Sequence, residues 1–499
     1  MIGRLRTAWR AVRGYAAAQE LRASAQWAAS GGSANAEVGA AASTMARRAR
    51  DAVRNDPYAA RIVDLWTGNA VGAGITTRWP DAAHADAWRA WADSTACDAE
   101  GKLDLYGLQA LVMRAVVESG ECFVRLMPTE PSPSNPLGLR LQVLESDHLD
   151  TGRTGIVDGA PTLQGIALGD AGEPVAYWLH RVHPGASWLL PRGATWLTSE
   201  RIPARDVLHV YRKRRPGQLR DVSWLAPVLT RLRDLADYEG ALLMKAKIEA
   251  CLAAVVSEES DEALTGAAAT LLKDAQGRTV EAFEPGMILC RRGTGSVEVV
   301  NPSGGGSHAA FARRALEAAA VGAGLTYDQV SGDLTHANYS SLRAGKIEFR
   351  RLCEQVQYGM LIPMLVRPIA ERFHAQGALL GLWPTEMPVG VSHVPPAHEM
   401  IDPLKDTTAL IAQVRAGFVP QPEAAGSFGY DFRQVVEMIR EANALLDEAG
   451  LALDTYPRRV AKSGSAQDAA QMAAIEIAAT GSASGTATPE RTDTPPAQD

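Results

Sequence analysis

Apolar residues recur at three- and four-residue steps along most of the chain, and that spacing predicts helices. Tyr58, Ile62, Leu65 and Trp66 line one face of a helix opening at Pro57, where a residue without an N–H suits the first turn. Helices are also expected over 45–56, over 83–92 with Trp88 and Trp91 on one side, and over 105–119, closed by Gly120. After Glu121 the period falls to two. Cys122, Val124 and Leu126 alternate with Phe123, Arg125 and Met127, the pattern of a strand, and the stretches 139–144, 175–180 and 206–211 repeat the signal.

A long helical stripe follows over 224–256, carried by Leu225, Val228, Leu229, Leu232, Leu235, Leu242, Leu243 and Leu252, with Pro227 in its first turn. The stretch 257–310 interrupts it. Its start is acidic (Glu258, Glu259, Asp261, Glu262), strand-like pieces lie near 284–290 and 296–300, and Pro302-Ser-Gly-Gly-Gly-Ser-His308 closes it. It reads as a small module inserted between two helices. Helix resumes over 311–325. A polar loop carrying Ser331, Gly332, Asp333, Thr335, His336 and Asn338 then feeds a helix over 340–376, which Asn338 or Ser340 can cap. Inside that helix the Pro363 ring meets the Gly359 carbonyl, so a kink is expected there. Two more helices are expected over 403–417 and 431–450. Residues 1–44 read as a partly disordered arm. The chain after residue 462 is poor in large apolar residues and reads as disordered. The fold class is α+β, mostly helical.

Composition narrows the function. At 499 residues the chain is too long for one core, and 46% hydrophobic with 21% charged residues is the balance of a globular protein. No apolar run approaches the roughly 20 residues of a spanning helix. The arginines at 4, 6, 10 and 13 are not followed by an apolar core and cleavage site, so no secretory signal is expected. Five scattered cysteines without a CxxC pair argue for reduced thiols and against a zinc ribbon. The formal net charge of −7 argues against a tight grip on nucleic acid.

Candidate chemistry is sparse. Gly345-Lys346 continues into Ile347, so the phosphate-binding G-x-x-x-x-G-K-[ST] signature is missing. The glycines of 68–74 follow a helix, where the dinucleotide pattern needs a strand. There is no H-E-x-x-H and no G-x-S-x-G. His180-x-x-His183 has metal-compatible spacing, with Glu145, Asp147 and His148 as distant candidates, but surface or core histidines are the commoner outcome. No catalytic residue, metal or cofactor is assigned.

The chain resembles the portal proteins of lambda-like tailed bacteriophages. The resemblance runs over roughly 46–459. It is carried by Ala49-Arg-Asp-Ala-Val-Arg-Asn-Asp-Pro-Tyr58, Cys97-Asp-Ala-Glu-Gly-Lys-Leu-Asp104, Val117-Glu-Ser-Gly-Glu121, Gln142-Val-Leu-Glu-Ser-Asp-His-Leu-Asp150 and Arg214-Arg-Pro-Gly-Gln218. Trp224-Leu-Ala-Pro-Val228, Asn338-Tyr-Ser-Ser-Leu-Arg343, Glu348-Phe-Arg350 and Asp402-Pro-Leu-Lys405 continue it. The resemblance implies a ring of about twelve subunits at one capsid vertex. Double-stranded DNA would enter through it, driven by a separate terminase, and later leave. The partners implied are the terminase large subunit, the major capsid protein and head-completion or tail proteins, with no membrane. By chain order it implies a wing over 45–223, stem helices over 224–256 and 309–325, and a clip over 257–308. A channel loop over 326–339, a long kinked helix with the wing return over 340–403, a crown over 404–460 and a tail over 461–499 complete it. The residues expected at the DNA channel are Ser331, Asp333, Thr335, His336 and Asn338, and those expected at a neighbouring subunit are Arg343, Lys346 and Arg350. A metal-dependent hydrolase using His180 and His183, and a head-assembly scaffold that never meets DNA, are the competing readings.

Overall fold

The computed structural model describes residues 30–186, 198–258, 272–273, 279–280, 287–292, 308–335, 337–397, 400, 402–430 and 432–451. The chain divides into two units, Met1–Pro396 and Ala397–Asp499. Most of the expected arm before residue 30 and the expected tail lie outside the described residues.

In the first unit, helix α1 (Ala34–Asn55) starts where the Ser33 hydroxyl accepts the Ala36 N–H. This is earlier than the expected start at 45. The buried positions of α1 are Ala34, Ala42, Ala46 and Ala49, so the helix packs through small residues that carry no strong apolar periodicity. Asp56 ends α1 and caps α2 (Pro57–Ala70) by accepting from the Tyr58 and Ala59 N–H groups. Strand β1 (Thr76–Arg78), helix α3 (Ala82–Ala92) and helix α4 (Leu105–Ser119) follow. Gly120 closes α4 at φ 94°, and a Cβ there would collide with the Val222 backbone, so this corner requires glycine.

Strand β2 (Glu121–Pro128) is the centre of a three-stranded antiparallel sheet, flanked by β3 (Leu139–Glu145) and, further along the chain, by β9. Its alternation separates two cores. Cys122, Val124 and Leu126 join the main core with α2, α3 and α4, while Phe123 enters a second core with Leu144, Ile166, Tyr177 and Leu179. That second core belongs to an antiparallel meander of β4 (Gly155–Val157), β5 (Ala160–Leu163), β6 (Ile166–Leu168), β7 (Pro174–His180) and β8 (Ser199–Pro203). Strand β9 (Val207–Tyr211) returns the chain to β2. Only β7 of the meander was expected. The others are short and interspersed with Gly, Pro and Thr, so no alternation can build up.

Glu121, at the start of β2, is fully buried. It accepts from Arg220 Nε at 2.9 Å, from Arg220 Nη2, and from His209 Nε2 at 3.0 Å. Burial alone would raise its carboxyl. The Arg220 charge and the His209 hydrogen bond outweigh that and hold it below the usual carboxylate range. Burial pushes His209 the other way, below an ordinary histidine.

The expected helix over 224–256 is shorter than its stripe. Ser223 to Val228 form hydrogen-bonded turns containing Pro227, and α5 spans Leu229–Cys251. The chain then becomes strand β10 (Leu252–Glu258), whose Val255-Val256 pair favours extended backbone. After β11 (Leu272–Lys273) and β12 (Thr279–Val280), β13 (Met287–Arg292) pairs with β10 in parallel. The pieces expected at 296–300 and the closing 302–307 lie outside the described residues.

Helix α6 (His308–Ala323) packs on the Pro227–Val228 turn so closely that a Cβ on Gly322 would lie 2.6 Å from the Val228 side chain. Helix α7 (Tyr327–Ser331) and helix α8 (Tyr339–Val356) follow. The helix expected over 340–376 is three segments. Between α8 and α9 (Arg367–Leu379) the backbone widens into a π-helix over Gln357–Val366, and the Arg367 N–H reaches back five residues to the Ile362 carbonyl. Gly359 and Pro363 both lie in this wide segment, which accommodates the missing proline N–H. Strand β14 (Ser392–Val394) pairs antiparallel with β1.

In the second unit, α10 (Pro403–Arg415) is capped by Asp402, which accepts from the Lys405 N–H. Helices α11 (Gln421–Ser427) and α12 (Phe432–Glu448) complete it. Helix α11 was not expected: it is short and opens at a proline. No residue of α10 or α11 is buried.

Candidate functional site

The polar segment between α6 and α8, expected as the channel loop over 326–339, holds the short helix α7 and a braced turn. Gly324, at φ 74°, ends α6, and the Trp66 indole donates to the Ala323 carbonyl at 2.9 Å. Thr326 then starts α7: its N–H and hydroxyl both donate to Gln329 Oε1, at 3.0 and 3.1 Å. The T-x-x-Q spacing of a capping box marks this start in the sequence, and it is the signal that reading missed. The Arg61 Nε donates to the Gln329 carbonyl at 3.2 Å, and the Arg313 guanidinium lies over the Tyr327 ring.

The expected channel residues have distinct duties. Ser331 belongs to α7, and its hydroxyl donates to the Tyr327 carbonyl at 2.8 Å. Asp333 accepts the Tyr327 hydroxyl at 3.3 Å, the Thr335 N–H at 3.0 Å and the Thr335 hydroxyl. Asn338 caps α8, accepting the Ser341 N–H at 2.9 Å. These polar groups hold the turn in shape, and Leu334 and Thr335 are exposed at its tip. His336 lies outside the described residues. Helix α8 then buries Phe349, Cys353 and Val356 and exposes Lys346, with Arg343 and Arg350 half-buried. A Cβ on Gly345 would stand 2.8 Å from the Thr326 methyl, so α8 crosses the start of α7 at close range.

The second candidate pair, His180 and His183, lines one cavity of about 410 Å³ but faces different carboxylates. His180 Nε2 lies 4.0 Å from Asp150, whereas His183 comes together with Glu145 and Asp147. Arg50 already occupies this corner, 3.0 Å from Glu145 and 2.6 Å from Asp147. Burial would raise the Asp147 carboxyl, but its hydrogen bond to Arg50 and the Arg50 charge hold it below the usual range. The Gly185 N–H donates to His183 Nδ1 at 2.9 Å, so Nε2 carries the ring proton and turns it toward Glu145, 3.6 Å away. The Arg50 guanidinium, already paired with both carboxylates, opposes a metal-dependent hydrolase at this corner.

Residues 20–357 match the family described as phage portal protein, lambda family. The chain belongs to the lambda family of phage portal proteins. A probable portal protein of Halomonas phage phiHAP-1 is 27% identical over 389 residues, 73% of each chain. Portal protein B of Escherichia phage lambda is 23% identical over 79% of this chain and 82% of its own. Among solved structures, a chain in the neck of an empty gene transfer agent particle covers 77% of this chain and 92% of its own, at 15% identity and TM-score 0.40. The portal chain is thus a structural protein by family. The matched span takes in the braced turn and all of α8, and it closes at the first residue of the π segment.

Proposed function

We propose that this portal chain assembles into a ring of about twelve copies at one capsid vertex. Double-stranded DNA passes through it without sequence specificity, driven inward by a separate terminase. Family membership carries this reading. The formal charge of −7 supports it, because an acidic wall repels phosphates and lets DNA slide. The braced turn over 326–338 faces the channel in this reading, presenting Leu334 and Thr335. Arg343, Lys346 and Arg350 of α8 meet the neighbouring subunit. The major capsid protein holds the ring, and head-completion or tail proteins dock on it.

Negative-stain microscopy of the purified chain tests the ring; a monodisperse monomer at high concentration would sink it. A Leu334→Gly/Thr335→Gly variant tests the channel. Rings should still form while packaging or DNA retention falls. Rings with unchanged packaging would favour a scaffold that never meets DNA.

A further inference from the structure

A hydrogen-bonded chain crosses the first unit where α3, α9 and the segment leading to β14 meet. Asp81 Oδ1 lies 2.8 Å from His84 Nδ1, His84 Nε2 lies 3.0 Å from His374 Nδ1, and His374 Nε2 lies 3.1 Å from the Thr385 carbonyl. Both rings are buried.

The ends of this chain fix its protons. A carbonyl only accepts, so His374 Nε2 carries a hydrogen. An ionised carboxylate only accepts, so His84 Nδ1 carries another. The central contact needs a third. Asp81 also accepts the His84 backbone N–H at 3.0 Å. Burial works against its charge, but these two hydrogen bonds hold the carboxyl below its usual range. Two neutral imidazoles have two ring protons between them, and this chain uses three.

We propose that Asp81, His84 and His374 form a pH-sensitive clasp in which the histidine pair shares one net positive charge. The surroundings suit a cation. His84 lies between two indoles, Trp79 at 4.9 Å and 18° and Trp383 at 4.1 Å and 30°, whose faces attract positive charge. Among the described residues, the groups facing the pair are Asp81 from the start of α3, the Trp79 ring, and the Trp383 ring and Thr385 carbonyl from beyond α9. His393 on β14 contributes no charge: burial and Arg367 lower it to about 4, and its ring meets the Thr77 hydroxyl.

The third proton belongs to the hydrogen-bonded fold, so raising the pH strips it from the pair and weakens the clasp. Losing the third proton leaves one contact of the chain without a donor. The segment 382–394, which the clasp ties to α3 and α9, should then open more often.

Hydrogen exchange of the full chain at about pH 6 and about pH 9, corrected for intrinsic rates, tests this. Protection of 382–394 should fall roughly tenfold relative to α4 at the higher pH. Equal protection at both would overturn the clasp. In Asp81→Asn the amide can donate to a neutral His84, so the drop should vanish; a drop that persists in that variant would also overturn it. The native measurement decides alone if the variant does not fold.

Discussion

Two carboxylate–histidine contacts in the first unit look alike and carry charge differently: the Glu121 carboxylate is buried and the Asp81 carboxylate is exposed, each against a buried histidine. Glu121 meets His209 at 3.0 Å, and Asp81 meets His84 at 2.8 Å. Beside Glu121 stands Arg220, which neutralises the carboxylate and leaves burial free to keep His209 uncharged. The Asp81 contact has a second histidine where the first has an arginine. A guanidinium is charged at every accessible pH, so the first contact is insensitive to mild alkali. An imidazole pair is not. Whether the fixed cation is an arginine decides which contact is a brace and which is a clasp.

The largest effect is expected at Arg220. Arg220→Met strands a buried carboxylate and should cost about 3–5 kcal/mol in denaturant unfolding. The loss should shrink on acidification from about pH 8 to about pH 5, because Glu121 or His209 can then take up a proton. A loss independent of pH would mean that neither Glu121 nor His209 takes up a proton once Arg220 is gone.

The Arg50 corner is an intermediate case, with an arginine, two carboxylates and His183. Arg50→Gln should cost about 2 kcal/mol by the same assay. Asp147 is held below its unfolded range, so its share of stability is present above about pH 4 and lost as the pH falls through and below that value. The variant should therefore show a shallower acid dependence than the native chain. An unchanged acid limb would place the stabilising contact elsewhere.

Asn338→Ala sets the scale for a contact without any titrating partner. Losing that cap should cost about 1 kcal/mol with no pH dependence between about pH 6 and about pH 9. A thermal melt at the two values checks it.

What was legible in the sequence follows from the distance over which each signal acts. Helix α4 was readable at both ends because Asp104, a regular apolar face and Gly120 all lie within it or beside it. Strand β2 was readable by its alternation, although the two cores it serves were not. The end of α5 at Cys251 was missed because Leu252 extends the helical stripe while its backbone pairs with Met287. The turn over 326–338 was recognised as polar. Its polar groups hold one another through short-range contacts among Tyr327, Ser331, Asp333 and Thr335, and the Arg61 brace comes from far away in the chain. The clasp was invisible for the same reason: Asp81 and His84 look like an ordinary helix start, and His374 is on another helix.

The wide segment between α8 and α9 has a consequence for winding. Phe349, Cys353, Gln357, Leu361, Leu365, Ile369, Phe373 and Gly377 are all buried, each four residues after the last. On an ordinary helix with 3.6 residues per turn, such a series would drift steadily around the rod. A stretch closed by five-residue steps turns more slowly and takes up part of that drift. The buried series from Phe349 to Gly377 therefore winds around the rod less than an unbroken α-helix would make it. A single-residue deletion inside Gln357–Val366 would put α9, and His374 with it, out of phase with α3.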